Sequence, residues 1–116
     1  MLARWTIQLD NLDWLFPLST QTAIYRIVQE ALTNIGKHAK PKNVSLRIKR
    51  EEQEVSFIIE DDGIGFDRYK VANEKRTLGL LAMEERAKIL GGAFELWSQE
   101  NRGAKISFSI PIPGGS

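Results

Sequence analysis

Apolar residues change their spacing several times along the chain, and each change marks an element. From Arg4 to Leu9 they alternate, with Trp5, Ile7 and Leu9 on one side, the period of a strand. Residues 11–17 form an irregular connection carrying Trp14 and Phe16. From Gln21 the spacing lengthens. Ile24, Ile27, Val28, Ala31, Leu32 and Ile35 fall on one stripe of a helix turning by about 100° per residue. Ser19 or Thr20 is placed to cap its start. Pro41 predicts its end near Ala39, because the residue before a proline avoids helical geometry.

Alternation returns in Val44, Leu46 and Ile48. After a charged turn at 50–53, the run from Val55 to Ile59 is more continuously apolar, as in a central strand. So short a turn predicts antiparallel pairing. Residues 61–66 read as a glycine-rich turn and 67–77, polar and weakly patterned, as a mobile loop. A second helix is predicted from about Leu78 to Leu90, stopped by Gly91-Gly92. Phe94–Leu96 and Ile106–Ile110 read as a closing hairpin with its turn at 99–103. Two helices cannot cover both faces of a five-stranded sheet. The predicted fold is therefore an α/β (α+β) two-layer sandwich, a mixed sheet with helices on one face.

Composition narrows the function classes. The chain has 116 residues, the length of one domain, with 42% apolar and 27% charged residues, enough for a packed core. A net charge of +1 disfavours a polycation built for nucleic acid. There is no cysteine and one histidine, His38, so disulfide scaffolds, thiolate metal sites and two-imidazole zinc sites are excluded. No apolar run is long enough to cross a bilayer and no signal-peptide pattern opens the chain, so a cytoplasmic location is expected. The turn-rich tail Pro111-Ile112-Pro113-Gly114-Gly115-Ser116 suggests a piece of a longer protein.

Four segments carry candidate chemistry. Glu30, Asn34 and His38 are spaced four apart on the first helix, so they form a column beside the apolar stripe, with Lys37 next to it. A carboxylate, an amide oxygen and a cation can hold a hydrated Mg²⁺ and a phosphate. The spacing alone equally suits a solvated helix flank. Asp61-Asp62-Gly63-Ile64-Gly65-Phe66 follows a strand. Its glycines let the backbone approach a flat ligand, and a carboxylate there can accept from an exocyclic amine, though Asp and Gly are also default turn residues. Thr77-Leu78-Gly79-Leu80 is placed to open the second helix, whose free N–H groups would suit phosphate. Asn101-Arg102-Gly103-Ala104-Lys105 is the last segment, and also a plausible hairpin turn. Neither a Walker-type phosphate loop nor a Gly-x-Gly-x-x-Gly fingerprint is present.

Taken together and in order, these segments resemble the boxes of bacterial sensor histidine kinases. Arg26–Ala39 is similar to their N box, Asp61–Phe66 to the G1 box, Leu78–Ala87 to the G2 box and its helix, and Gly103–Ile106 to the last glycine box. The Gln29-Glu30-Ala31-Leu32-Thr33-Asn34 run resembles the subfamily that pairs with NarL- and LuxR-type response regulators. The resemblance covers about Asp13 to Pro111. It implies the GHKL superfamily and its Bergerat fold, with residues 1–116 as the catalytic ATP-binding domain and a lid at about 67–77.

The resemblance also implies roles. Asn34 matches the Mg²⁺-binding asparagine and Glu30 the acidic catalytic residue. Lys37 and His38 match positions near the phosphates. Asp61 matches the aspartate that hydrogen-bonds the adenine amino group, Gly63 and Gly65 the glycines lining the base pocket, and Gly79 and Leu80 the G2 residues at the phosphates. Thr77 stands where a first G2 glycine is usual, Ala104 where a threonine is, and Asp62 where asparagine is common.

The implied function is Mg²⁺-ATP binding and donation of the γ-phosphoryl group to a histidine on a separate dimerisation domain, with a response regulator downstream. His38 ends the N-box helix and lacks an acceptor motif, so the phosphoacceptor domain is expected to be absent from this chain. The isolated domain is expected to be monomeric and a parent kinase dimeric, whether or not that parent is membrane-anchored. The alternatives are another GHKL protein, such as an anti-sigma factor serine kinase, and a non-catalytic, nucleotide-gated binding module.

Overall fold

A computed structural model describes residues 3–12, 15–64, 74–99 and 101–113. The elements run β1 (Arg4–Leu9), α1 (Leu18–Asn34), β2 (Asn43–Arg50), β3 (Glu54–Asp61), α2 (Glu74–Ile89), β4 (Ala93–Gln99) and β5 (Gly103–Pro111). A π-helical turn, Ile35–Ala39, extends α1. The strands form one sheet in the order β1-β2-β3-β5-β4. β1 is parallel to β2, and the other pairings are antiparallel. This is the mixed two-layer architecture that the apolar pattern predicts.

Register explains where the core sits. Ile7, Leu46, Ile59, Ile106 and Leu96 lie in one row across the five strands, and Leu9, Ile48, Phe57, Phe108 and Phe94 in the next. Phe57 and Phe108 stack with centroids 4.5 Å apart and planes within 6°. Onto this face α1 lowers Ile27 and Ala31, its π-helical extension lowers Ile35, and α2 lowers Met83 and Ala87, each helix at helical spacing. Ser45, Arg47 and Lys49 alternate onto the opposite, helix-free face.

Two expectations need correction. α1 starts at Leu18, with Pro17 at its N-cap and no side-chain cap, so neither Ser19 nor Thr20 opens it. The Pro17 carbonyl accepts from Gln21 N–H at 3.0 Å, and its fixed φ suits a helix start. The second helix begins at Glu74, four residues before Leu78. Glu74, Lys75 and Arg76 are good helix formers, and a carboxylate suits the positive end of the helix dipole. Residues 74–77, assigned to the lid, are thus the first turn of α2, while 67–73 lie outside the described residues. Trp5, Ile7 and Leu9 share the helix-bearing face but remain exposed, because neither helix reaches over β1.

The end of α1 follows expectation. Lys40 turns into the left-handed region, with φ 47°, directly before Pro41. At the far end of α2, Gly91 N–H donates to Lys88 O and Gly92 N–H to Ala87 O, both at 2.9 Å, which stops the helix where the glycine pair predicts.

Candidate functional site

Asn34 ends α1, Asp61 ends β3, and the two side chains meet in one pocket. Ala31, Ile35, Ile59, Leu80 and Ile106 supply apolar walls. Together they line a narrow cleft that opens to solvent. Asp61 lies at this end because alternation along β3 places it on the core face, in register with Val44 and Ala104. It is buried. Its Oδ1 accepts from Gly63 N–H at 2.8 Å, an interaction that shapes the turn after the strand. A fixed carboxylate beside apolar walls suits a flat ring bearing an exocyclic amine.

The Asn34 amide supplies the second polar group. Its Nδ2 is buried and, among the described residues, has no hydrogen-bond partner. Leaving such a group unsatisfied costs about 1–3 kcal/mol, so an orphan in a pocket wall calls for explanation. A ligand that reaches it removes the cost. The amide can present either its nitrogen or its oxygen.

The turn after β3 is pinned on two sides. A Cβ at Gly63 would run into the Ala39 carbonyl, which instead accepts from Ile64 N–H at 2.8 Å. Ile64 O accepts in turn from Asn101 N–H at 2.6 Å. The π turn therefore joins the end of the first helix to the glycine turn and to the β4–β5 hairpin, three segments far apart in sequence.

Asp62 points away from the pocket. Its Oδ1 accepts from the backbone N–H groups of Lys42 and Asn43, both at 2.8 Å, and its Oδ2 from Asn43 Nδ2 at 2.7 Å. The Asn43 side-chain bond first, then the backbone bonds, hold its carboxyl below the usual carboxylate range. Asp62 thus ties the start of β2 to the end of β3, one residue from Asp61. Sequence reasoning gave this residue no role. Its only signal was an acidic residue doubled at the strand end.

Glu30 faces α2, where a Cβ at Gly79 would collide with its Oε1. Gly79 was expected at the helix start, with a free N–H. It is instead the sixth residue of α2, a position whose N–H faces a carbonyl one turn back. Its distinguishing property is the space it leaves for Glu30. Lys37 is exposed on the π turn and is not part of the pocket lining. The His38 side chain and Gly65 lie outside the described residues. Of the pocket's apolar walls sequence reasoning named Leu80 alone, since an aliphatic residue such as Ile59 or Ile106 looks the same whether it lines a pocket or fills a core.

The chain is similar to proteins of known family. Residues 19–114 match the family model described as histidine kinase-, DNA gyrase B-, and HSP90-like ATPase. The chain is 38% identical over 94 residues to an uncharacterized sensor-like histidine kinase of Chloroflexus aurantiacus, covering 78% of this chain and 16% of that protein. It is 37% identical over 97 residues to the signal transduction histidine-protein kinase/phosphatase DegS of Brevibacillus brevis, covering 84% and 25%. The chain thus spans a quarter or less of the length of these two relatives. In fold it is similar to the histidine kinase domain of the Erythrobacter litoralis EL346 blue-light activated histidine kinase, with a TM-score of 0.81, 24% identity and coverage of 97% of this chain and 53% of that one. The chain belongs to the histidine kinase-, DNA gyrase B-, and HSP90-like ATPase family.

Proposed function

We propose that this chain binds Mg²⁺-ATP and donates the γ-phosphoryl group to a histidine on a separate dimerisation domain of a sensor histidine kinase. The observation that carries the reading is that a fixed Asp61 carboxylate and an Asn34 amide, whose Nδ2 has no partner among the described residues, line one apolar pocket. In this reading Asp61 accepts from the adenine amino group while Ile59 and Ile106 flank the ring. Gly63 and Gly65 shape the base pocket, and Gly79 and Leu80 lie toward the phosphates with Lys37 and His38. Asn34 would hold Mg²⁺, which suits an amide oxygen combined with phosphate oxygens and water. When bound, the ion neutralises phosphate charge and orients the transferring group.

The acceptor imidazole nitrogen bonds to the γ-phosphorus as the bond to the β–γ bridging oxygen breaks, and ADP departs. Glu30 is the catalytic residue and accepts the proton that the imidazole releases. Protein side chains contribute mainly position and charge compensation to such a transfer. A response regulator would take the phosphoryl group onward. The site would work in the cytoplasm; among the described residues no helix is long and apolar enough to cross a membrane.

The test is γ-labelled ATP with this chain and the parent kinase's dimerisation domain supplied in trans. Acid-labile, alkali-stable label on that domain's histidine is expected. A folded chain that binds ATP but leaves the histidine unlabelled would overturn the transfer.

A further inference from the structure

We infer that β1 is a self-pairing edge, through which two copies of this chain join their sheets about a twofold axis at Ile7. β1 is one end of the sheet. Trp5, Ile7 and Leu9 lie on the helix-bearing face and are 49%, 56% and 61% exposed, so an apolar row continues past the edge of the helix layer. At the other edge, Phe94 and Leu96 of β4 are half-buried, and Glu95 sits mid-strand. β1 has no proline, glycine or lysine, and its one charge, Arg4, is at its end. It therefore lacks the devices that usually blunt an edge.

The backbone specifies the occupant. Arg4 N–H donates to Lys42 O at 2.7 Å and Asp10 N–H to Ile48 O at 3.0 Å. Even-numbered residues thus spend their peptide groups on β2. Alternation leaves the N–H and C=O of Trp5, Ile7 and Leu9 directed outward. An antiparallel second copy with Ile7 opposite Ile7 engages all three, pairing Trp5 with Leu9 at both ends. Aromatic–aliphatic pairs then meet on the apolar face. On the polar face the same register sets Thr6 opposite Gln8 and Arg4 opposite Asp10, uniting opposite charges twice. Asp10 is held at this edge because its Oδ2 accepts from Arg50 N–H at 2.8 Å. A shift by one pair in either direction leaves Trp5 or Leu9 without its partner and separates Arg4 from Asp10. The surface is self-complementary, as a twofold interface requires.

A contact of three residue pairs is small and correspondingly weak. The monomer expected of an isolated domain is therefore the dilute state, and the dimer appears as concentration rises. Sedimentation velocity on the 116-residue chain from about 10 μM to about 1 mM spans that range. It is expected to show a reversible monomer–dimer equilibrium. Over the same range, hydrogen exchange at the Trp5, Ile7 and Leu9 amides should slow at least about tenfold as pairing protects them, while Thr6 and Gln8, already bonded to β2, stay unchanged. Ile7→Lys sets two ammonium groups together on the axis and should give a monomer; the position is exposed, so the fold survives. Arg4→Asp should weaken dimerisation by opposing carboxylates. A chain monomeric at about 1 mM, protection falling on the even amides, or a dimer indifferent to both substitutions would each overturn the proposal.

Discussion

The Glu30 carboxylate lies where a side chain at Gly79 would be. The two residues sit on different helices, and the missing Cβ of one fixes the place of the other. Gly79→Ala would be expected to favour the helix by about 1 kcal/mol from propensity alone. Here it also displaces Glu30. If Glu30 accepts the proton during transfer, Gly79→Ala should lower phosphoryl transfer by about 10²-fold or more, the usual worth of a positioned base. Its thermal midpoint should hold or rise. Glu30→Gln should show a similar loss. The check is labelled-phosphate transfer measured beside thermal unfolding.

Asn34→Ala separates stability from function in another way. The Nδ2 is buried without a partner among the described residues, so deleting it removes a desolvated group and leaves stability level within about 1 kcal/mol. Mg²⁺-dependent ATP affinity should fall at least about tenfold, the loss of one hydrogen-bonded anchor. Urea unfolding and calorimetric titration of the same preparation decide the matter. A large stability loss would make Asn34 a structural residue.

Gly63→Ala would push a methyl group into the Ala39 carbonyl and break the Ile64–Ala39 bond that pins the turn. A cost of about 1–3 kcal/mol is expected, with weaker ATP binding because Asp61 bonds to this same turn. Chemical denaturation and nucleotide titration should move together. A variant as stable as the parent chain would show that the turn yields without loss.

Asp62 gives a pH prediction with a definite sign. Its folded pKa lies below the ordinary value of 3.8. The bonds to Asn43 and Lys42 therefore stabilise the fold above that value, and the contribution is lost as pH falls through the lower, folded pKa. Asp62→Ala should be less stable than the parent chain at pH 7. The difference should shrink below about pH 4 as the parent's carboxylate protonates. Urea midpoints across a pH series test this, and a constant difference would contradict it.

The fold was legible because its periods are clean. Alternation in Val44–Ile48 and the stripe from Ile24 to Ile35 each admit one element, and the glycine pair at 91–92 marks a stop. The start of α2 was not legible. Residues 74–77 carry no apolar stripe, so their helicity rests on propensity, which a polar loop can equally contain. The candidate site was legible where the chemistry is polar: Glu30, Asn34 and Asp61 stand out by spacing and by position after a strand. The Asp62 clamp was hidden because its partners, Lys42 and Asn43, are some twenty residues away, and only the register of β2 with β3 joins them. The exposure of β1 was hidden too, since alternation predicts an apolar face without saying whether a helix reaches it.

We propose Asp61 and Asn34 as the nucleotide site. Calorimetric titration of the folded chain with ATP and with GTP, each with and without Mg²⁺, tests it most directly when repeated on Asp61→Asn. Saturable, Mg²⁺-dependent binding of ATP in preference to GTP, with the preference lost in Asp61→Asn, is the predicted result. No ATP binding by the folded chain, or an ATP preference unchanged in Asp61→Asn, would contradict it.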